Sequence, residues 1–231
     1  MSLLRLPPET LKQIFDHIGS SFFRQDLGRL TICKKWFEFA GPGLSKCITL
    51  SQETLRRLIC SSVAKTPSLL KDSLETLDLE LGGYQAWIST LHRRPDPQES
   101  IALNAPASNE APGDNAVEAW IKVLDNDLTQ LATIVQQSRR LRILRIRAWN
   151  SPSPDPLDRP QDYLSVPTMQ ALLSVENLSV LALNLSVGFR DSSGENGSHI
   201  CPAIGALLRT LRTLHLRMHS ICPDVLKPQY P

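Results

Sequence analysis

The pattern LxxLxL occurs four times along the chain, as Leu74-Leu77-Leu79, Leu141-Leu144-Ile146, Leu178-Leu181-Leu183 and Leu211-Leu214-Leu216. Its last two apolar positions lie two residues apart, the period of a strand with one buried face. Each copy follows a stretch that reads as a helix: 52–64, 116–137 (with Val117, Trp120, Ile121, Leu124, Leu131 and Ile134), 169–175 and 203–209. One helix–strand unit cannot bury its own apolar face, whereas stacked neighbours can, so four units predict an α/β repeat architecture. The spacing is uneven: 67 residues from Leu74 to Leu141, 37 from Leu141 to Leu178 and 33 from Leu178 to Leu211. The excess length falls in residues 93–115, 150–162 and 190–198, which are rich in Pro, Ser, Asn and Asp or almost devoid of apolar residues. Segments of that kind cannot repay the entropy of ordering, and all three are expected to be mobile loops. No evident polar closing unit follows the last copy, which leaves open a loose cap or a shortened repeat domain.

The 231 residues include 42% apolar and 21% charged side chains, proportions that set aside wholesale disorder, a collagen-like fibre and a pure coiled coil. A net charge of +2, from 25 basic and 23 acidic residues, provides no global field toward nucleic acid or a membrane surface. Cys33, Cys47, Cys60, Cys201 and Cys222 are odd in number and form no CxxC pair, so a disulfide framework is not expected. Neither a signal-peptide pattern nor an apolar stretch of spanning length is evident. The expectation is a soluble, reduced, intracellular protein, cytoplasmic or nuclear, with no membrane partner.

The first 45 residues have a different texture. Leu11, Ile14, Phe15 and Ile18 line one side of a helix, with Pro7, Pro8 and Glu9 suited to its first turn and Gly19 expected to end it. A second helix is expected from Asp26, carrying Leu27, Leu30, Cys33, Trp36 and Phe37, until Gly41-Pro42-Gly43 breaks it. Two short helices bury too little surface to stand alone and need the rest of the chain or another protein.

The order Leu6-Pro7-Pro8-Glu9, Leu11, Ile14-Phe15, Ile18, Asp26-Leu27, Leu30, Ile32-Cys33-Lys34 and Trp36 resembles the F-box family, over about a fifth of the chain. With the downstream units this gives an all-α F-box at 1–45, then an irregular leucine-rich-repeat-like helix–strand solenoid over 46–231. The resemblance implies a non-catalytic substrate adaptor of a Skp-cullin-F-box ubiquitin ligase, docking on the Skp adaptor and through it a cullin, while the repeats hold an unidentified protein substrate. It places Leu6, Pro7, Leu11, Ile14, Phe15, Ile18, Leu27, Leu30, Cys33 and Trp36 in the docking segment, with some of them, Phe15 and Trp36 foremost, internal to the F-box. A repeat-based scaffold acting outside a ligase is the alternative, and a non-functional fragment a third.

If the LxxLxL leucines face the core, the intervening residues line the opposite face. That face would carry Thr76, Asp78 and Glu80; Ile143, Arg145 and Arg147; Val180, Ala182 and Asn184; Thr213, His215 and Arg217. Of these, Asp78, Glu80, Arg145, Arg147, Asn184, His215 and Arg217 are the substrate-facing candidates. Arg145, Arg147 and Arg217 suit an acidic or phosphorylated segment, since guanidinium groups grip such oxygens bidentately; a merely solvated strand face is the plainer alternative. The basic run 139–147 is explained by strand alternation and comes with no aromatic stacking platform, so nucleic acid is not an expected partner. His199-x-Cys201 and His215-x-x-x-His219-x-x-Cys222 have unconvincing spacing for zinc, and neither metal nor other cofactor is expected. No phosphate loop, GxSxG elbow, HExxH or paired nucleophilic cysteine is present, which argues against an enzyme.

Overall fold

The computed structural model describes residues 6–25, 33–60, 68–84, 114–150, 162–190 and 199–226. Its centre is a five-stranded parallel sheet: β1 (Cys47–Ser51), β2 (Thr76–Gly82), β3 (Ile143–Trp149), β5 (Val180–Leu185) and β7 (Thr213–Arg217), adjacent in chain order. The register aligns the leucine motifs directly: Ile48, Leu77, Leu144, Leu181 and Leu214 form one row, and Leu50, Leu79, Ile146, Leu183 and Leu216 the next. Burial alternates strictly along β2 and β3, with Leu77, Leu79, Leu81, Leu144, Ile146 and Ala148 inside. The expected facing of the leucines therefore holds in every motif strand, although Leu214 and Leu216 on the last strand are only partly buried.

The four strands after β1 in this sheet begin in the same way. The carbonyl of Lys46 accepts from both Glu75 and Thr76 N–H groups, that of Glu75 from Arg142 and Ile143, that of Arg142 from Ser179 and Val180, and that of Ser179 from Arg212 and Thr213. One shared carbonyl per step fixes the register at the entry to each strand and absorbs the unequal spacing of the units, because the spare residues lie elsewhere.

On one face of this sheet pack α3 (Gln52–Cys60), α5 (Asp114–Gln136), α6 (Val166–Leu173) and α7 (Cys201–Leu207), sharing a single apolar core with the strand leucines, while the short α4 (Ser68–Ser73) lies against α5. Ser51, the last residue of β1, accepts from the Thr54 N–H at 3.3 Å and so caps α3. The expected helices at 116–137, 169–175 and 203–209 are present with shifted ends. The one expected over 52–64 is α3, and its last four positions lie outside the described residues. The short α4, not α3, leads into β2. Three strands were not foreseen: β1, and the parallel pair β4 (Leu164–Ser165) and β6 (Phe189–Arg190). The loops expected at 93–115, 150–162 and 190–198 lie mostly outside the described residues; Asp114 opens α5, Asp162 accepts from the Gly188 N–H at 2.7 Å, and Arg190 belongs to β6.

The N-terminal pair departs from expectation at both breakers. Helix α1 (Pro8–Gln25) continues through Gly19, and α2 (Lys34–Ser45) runs through Gly41-Pro42-Gly43. A helical Gly costs about 1 kcal/mol and a Pro about 3. The burial of Leu11, Phe15 and Ala40 between the two helices opposes that cost. Gly43 is buried, and a Cβ there would make ordinary van der Waals contact with the Phe15 carbonyl oxygen at 3.7 Å, which places this turn of α2 directly against α1. The Ser45 hydroxyl donates to the Gly41 carbonyl at 3.2 Å in the last turn. Residues 26–32, expected to begin the second helix, lie outside the described residues.

Candidate functional site

Parallel sheets are usually covered on both faces. Here the face opposite the helices is at least partly solvent-accessible along every strand. Three rows cross it. Cys47, Thr76, Ile143, Val180 and Thr213 lie nearest the strand starts, then Thr49, Asp78, Arg145, Ala182 and His215, then Ser51, Glu80, Arg147, Asn184 and Arg217. All seven substrate-facing candidates are on this face. Two of the arginines, however, are occupied: Arg145 Nη1 donates to the Asp78 carboxylate at 3.0 and 3.4 Å, and Arg147 Nη2 donates to Glu80. The acidic strand and the basic strand neutralise each other, so neither arginine is an open anion receptor. Arg142 of the same basic run donates to the Asn177 carbonyl at 3.0 Å. Among the described residues the side chains of Asn184, His215 and Arg217 have no hydrogen-bond or ion-pair partner.

Sequence reasoning stopped at Arg147 and missed Trp149, which continues the alternation on the same face beside Gly82 and is 40% exposed. It also missed Thr49 and Ser51, because β1 has no full LxxLxL. The available signal was the alternation of Ile48 and Leu50 just before a capped helix.

The N-terminal docking residues divide. Leu11 and Phe15 are fully inside the α1–α2 pair, where Phe15 meets Trp36 edge-on with centroids 4.7 Å apart. They therefore belong to the interior of the pair, which removes them from the accessible docking set. Pro7 is exposed, Leu6 is 37% exposed, and Ile14, Ile18, Cys33 and Trp36 are half-buried. Cys33 Sγ accepts from the Trp36 N–H at 3.4 Å. Leu27 and Leu30 lie outside the described residues. The small core of this pair is separate from the main one; the two are joined through contacts of α2 with β1 and α4 and by Lys46, whose Nζ lies 2.5 Å from Asp16.

Two further places hold ionisable groups. A groove between α3 and α5 is bordered by Arg56, Cys60, Lys122 and Asp127. Asp127 is buried, and burial raises its carboxyl above the usual value of 3.8, opposed by Arg56, whose Nη1 is 3.7 Å away. His199, Cys201 and Cys222 converge between the start of α7 and the turn Pro223–Leu226, with their ligand atoms all within 4.8 Å of one another. The trio takes members from both His/Cys strings that the sequence presented separately. His215, on β7, and His219, which contacts the Ser186 carbonyl oxygen at 3.3 Å, are not in it. Among the described residues no helix is long and apolar enough to cross a membrane. Comparison with family models, curated proteins and solved structures finds no match to this chain.

Proposed function

We propose that the chain is a substrate-recognition adaptor of a Skp-cullin-F-box ubiquitin ligase, with α1–α2 docking on the Skp adaptor and the open sheet face receiving a protein target. In this reading the chain performs no chemistry and works in the cytoplasm or nucleus; it raises the effective concentration of target near a conjugating enzyme by holding both on one assembly. The observation that carries the reading is the separateness of the α1–α2 core. Among the described residues the pair fully buries three side chains, Leu11, Phe15 and Ala40, and leaves Leu6, Pro7, Ile14 and Ile18 at least partly uncovered by the downstream sheet. An apolar helical pair of that size suits a partner that completes its burial.

The downstream part is read as a leucine-rich-repeat-like solenoid. The strand order and the shared carbonyl at each strand entry support that reading, as does the one-sided covering of the sheet. The target would meet Asn184, His215 and Arg217 on the β5–β7 side and Trp149 at the far end of β3. The test is capture of purified Skp adaptor by the full chain. Replacing Leu6 and Pro7 by alanine is expected to abolish capture with the unfolding midpoint of the sheet unchanged. Capture that survives the substitutions, or that the parent chain never shows, overturns the proposal.

A further inference from the structure

We propose that His199, Cys201 and Cys222 bind one zinc ion, which ties the turn after β7 to the start of α7. Cys222 Sγ lies 3.6 Å from His199 Nδ1 and 3.8 Å from Nε2. With Zn–S of about 2.3 Å and Zn–N of about 2.0–2.1 Å, the S···N edge of a tetrahedron is about 3.6 Å. One edge is thus already at ligand spacing. The corresponding S···S edge is about 3.8 Å, so the 4.8 Å bound on the trio requires at most a small contraction. A simple S–H···N hydrogen bond accounts for Cys222 and His199 but not for the buried Cys201 thiol beside them. Two thiols and an imidazole form a soft donor set that selects zinc over magnesium or calcium. Two thiolates balance the charge of Zn²⁺, so the partly buried site carries no net charge. Binding converts two S–H groups to thiolates and releases two protons, with the fourth coordination position left to water or another donor.

The location gives the ion a role. β7 is the last strand of the sheet, and after it the chain turns back so that Val225 is buried in the main core and the turn packs on α7. His199 and Cys201 come from one segment and Cys222 from another beyond β7, so the site exists only when the turn is seated, and binding energy adds to its stability. The experiment uses the full chain, kept reduced, stripped by a chelator and titrated with Co²⁺ and then Zn²⁺. One equivalent of Co²⁺ should give thiolate-to-cobalt charge-transfer absorption that Zn²⁺ displaces, and Zn²⁺ should raise the unfolding midpoint. Cys201→Ser and Cys222→Ser should each weaken binding on the order of 100-fold or more, beyond the loss typical of an outer-shell change. Cys60→Ser, at the exposed end of α3, should bind like the parent. Absence of the charge-transfer band in the parent overturns the site and needs no variant; equal affinity in the Cys201→Ser chain also overturns it. Purification without reductant that yields a Cys201–Cys222 disulfide, with no Co²⁺ bound once that disulfide is reduced, overturns it in favour of a redox pair.

Discussion

Arg145 on β3 reaches the carboxylate of Asp78, its direct neighbour on β2, with Nη1 at 3.0 Å from one oxygen and 3.4 Å from the other. The pair sits on the open face, with about half of the arginine side chain exposed, so solvent screens it. A double-mutant cycle with Asp78→Asn and Arg145→Gln is expected to give a coupling of about 0.5 kcal/mol that declines as salt is added. Urea unfolding of the four chains measures it. A coupling that persists in high salt would mean that the pair is far less solvated than its exposure indicates.

Phe15 is 1% exposed and meets the Trp36 ring at an interplanar angle of 88°. Phe15→Ala removes a ring from a core that, among the described residues, fully buries Leu11 and Ala40 besides it, at a cost of about 3–5 kcal/mol in an ordinary core. A two-helix unit cannot absorb that loss. Amide hydrogen exchange should therefore show protection lost across Pro8–Gln25 and Lys34–Ser45 but kept in Ile143–Trp149 and Val180–Leu185. Loss of protection throughout the strands would mean that the two cores fold as one.

These two sites differ in how plainly the sequence announces them. The LxxLxL copies identify four of the five sheet strands and their inward residues, because a period of two in apolar residues maps directly onto the pleat. β1 escaped since Ile48 and Leu50 alone are too short a pattern. The breakers misled in the opposite direction: Gly19 and Gly41-Pro42-Gly43 are local signals, and the helix–helix burial that overrides them is tertiary. The open face was legible residue by residue, but the pairing of Asp78 with Arg145 and Glu80 with Arg147 depends on register between strands 67 positions apart. The convergence of His199, Cys201 and Cys222 depends on a chain reversal after β7 that no local spacing encodes.

Tyr163, just before β4, is 2% exposed, with its hydroxyl 2.8 Å from the Leu81 carbonyl oxygen and 3.1 Å from that of Trp149. One phenol thus links the ends of β2 and β3, while its ring packs edge-on against Trp120 at 5.4 Å. Tyr163→Phe keeps the ring and removes the donor. It is expected to cost about 1–2 kcal/mol, because the Leu81 carbonyl loses a partner in a buried setting. Chemical denaturation gives the value, and no change in midpoint would show that water replaces the hydroxyl.

Asp127 on α5 provides a pH test with a defined sign. Burial is the larger influence on its carboxyl and raises the pKa above 3.8; the attraction of Arg56 lowers it by less. A carboxyl whose folded pKa is raised favours the native state fully below its unfolded pKa, and that advantage is lost as pH climbs through the folded value. The charged form therefore weighs against folding at neutral pH. Asp127→Asn should stabilise the chain at pH 7, and its lead over the parent should shrink as pH falls through the raised folded value and below 3.8, where the carboxyl is increasingly protonated in both the folded and the unfolded chain. Arg56→Gln should have the opposite effect, lowering stability at pH 7 by leaving the buried charge without its cation. Unfolding midpoints measured across this range distinguish the cases. An asparagine variant less stable than the parent at pH 7 would show that the Arg56 attraction outweighs the burial cost.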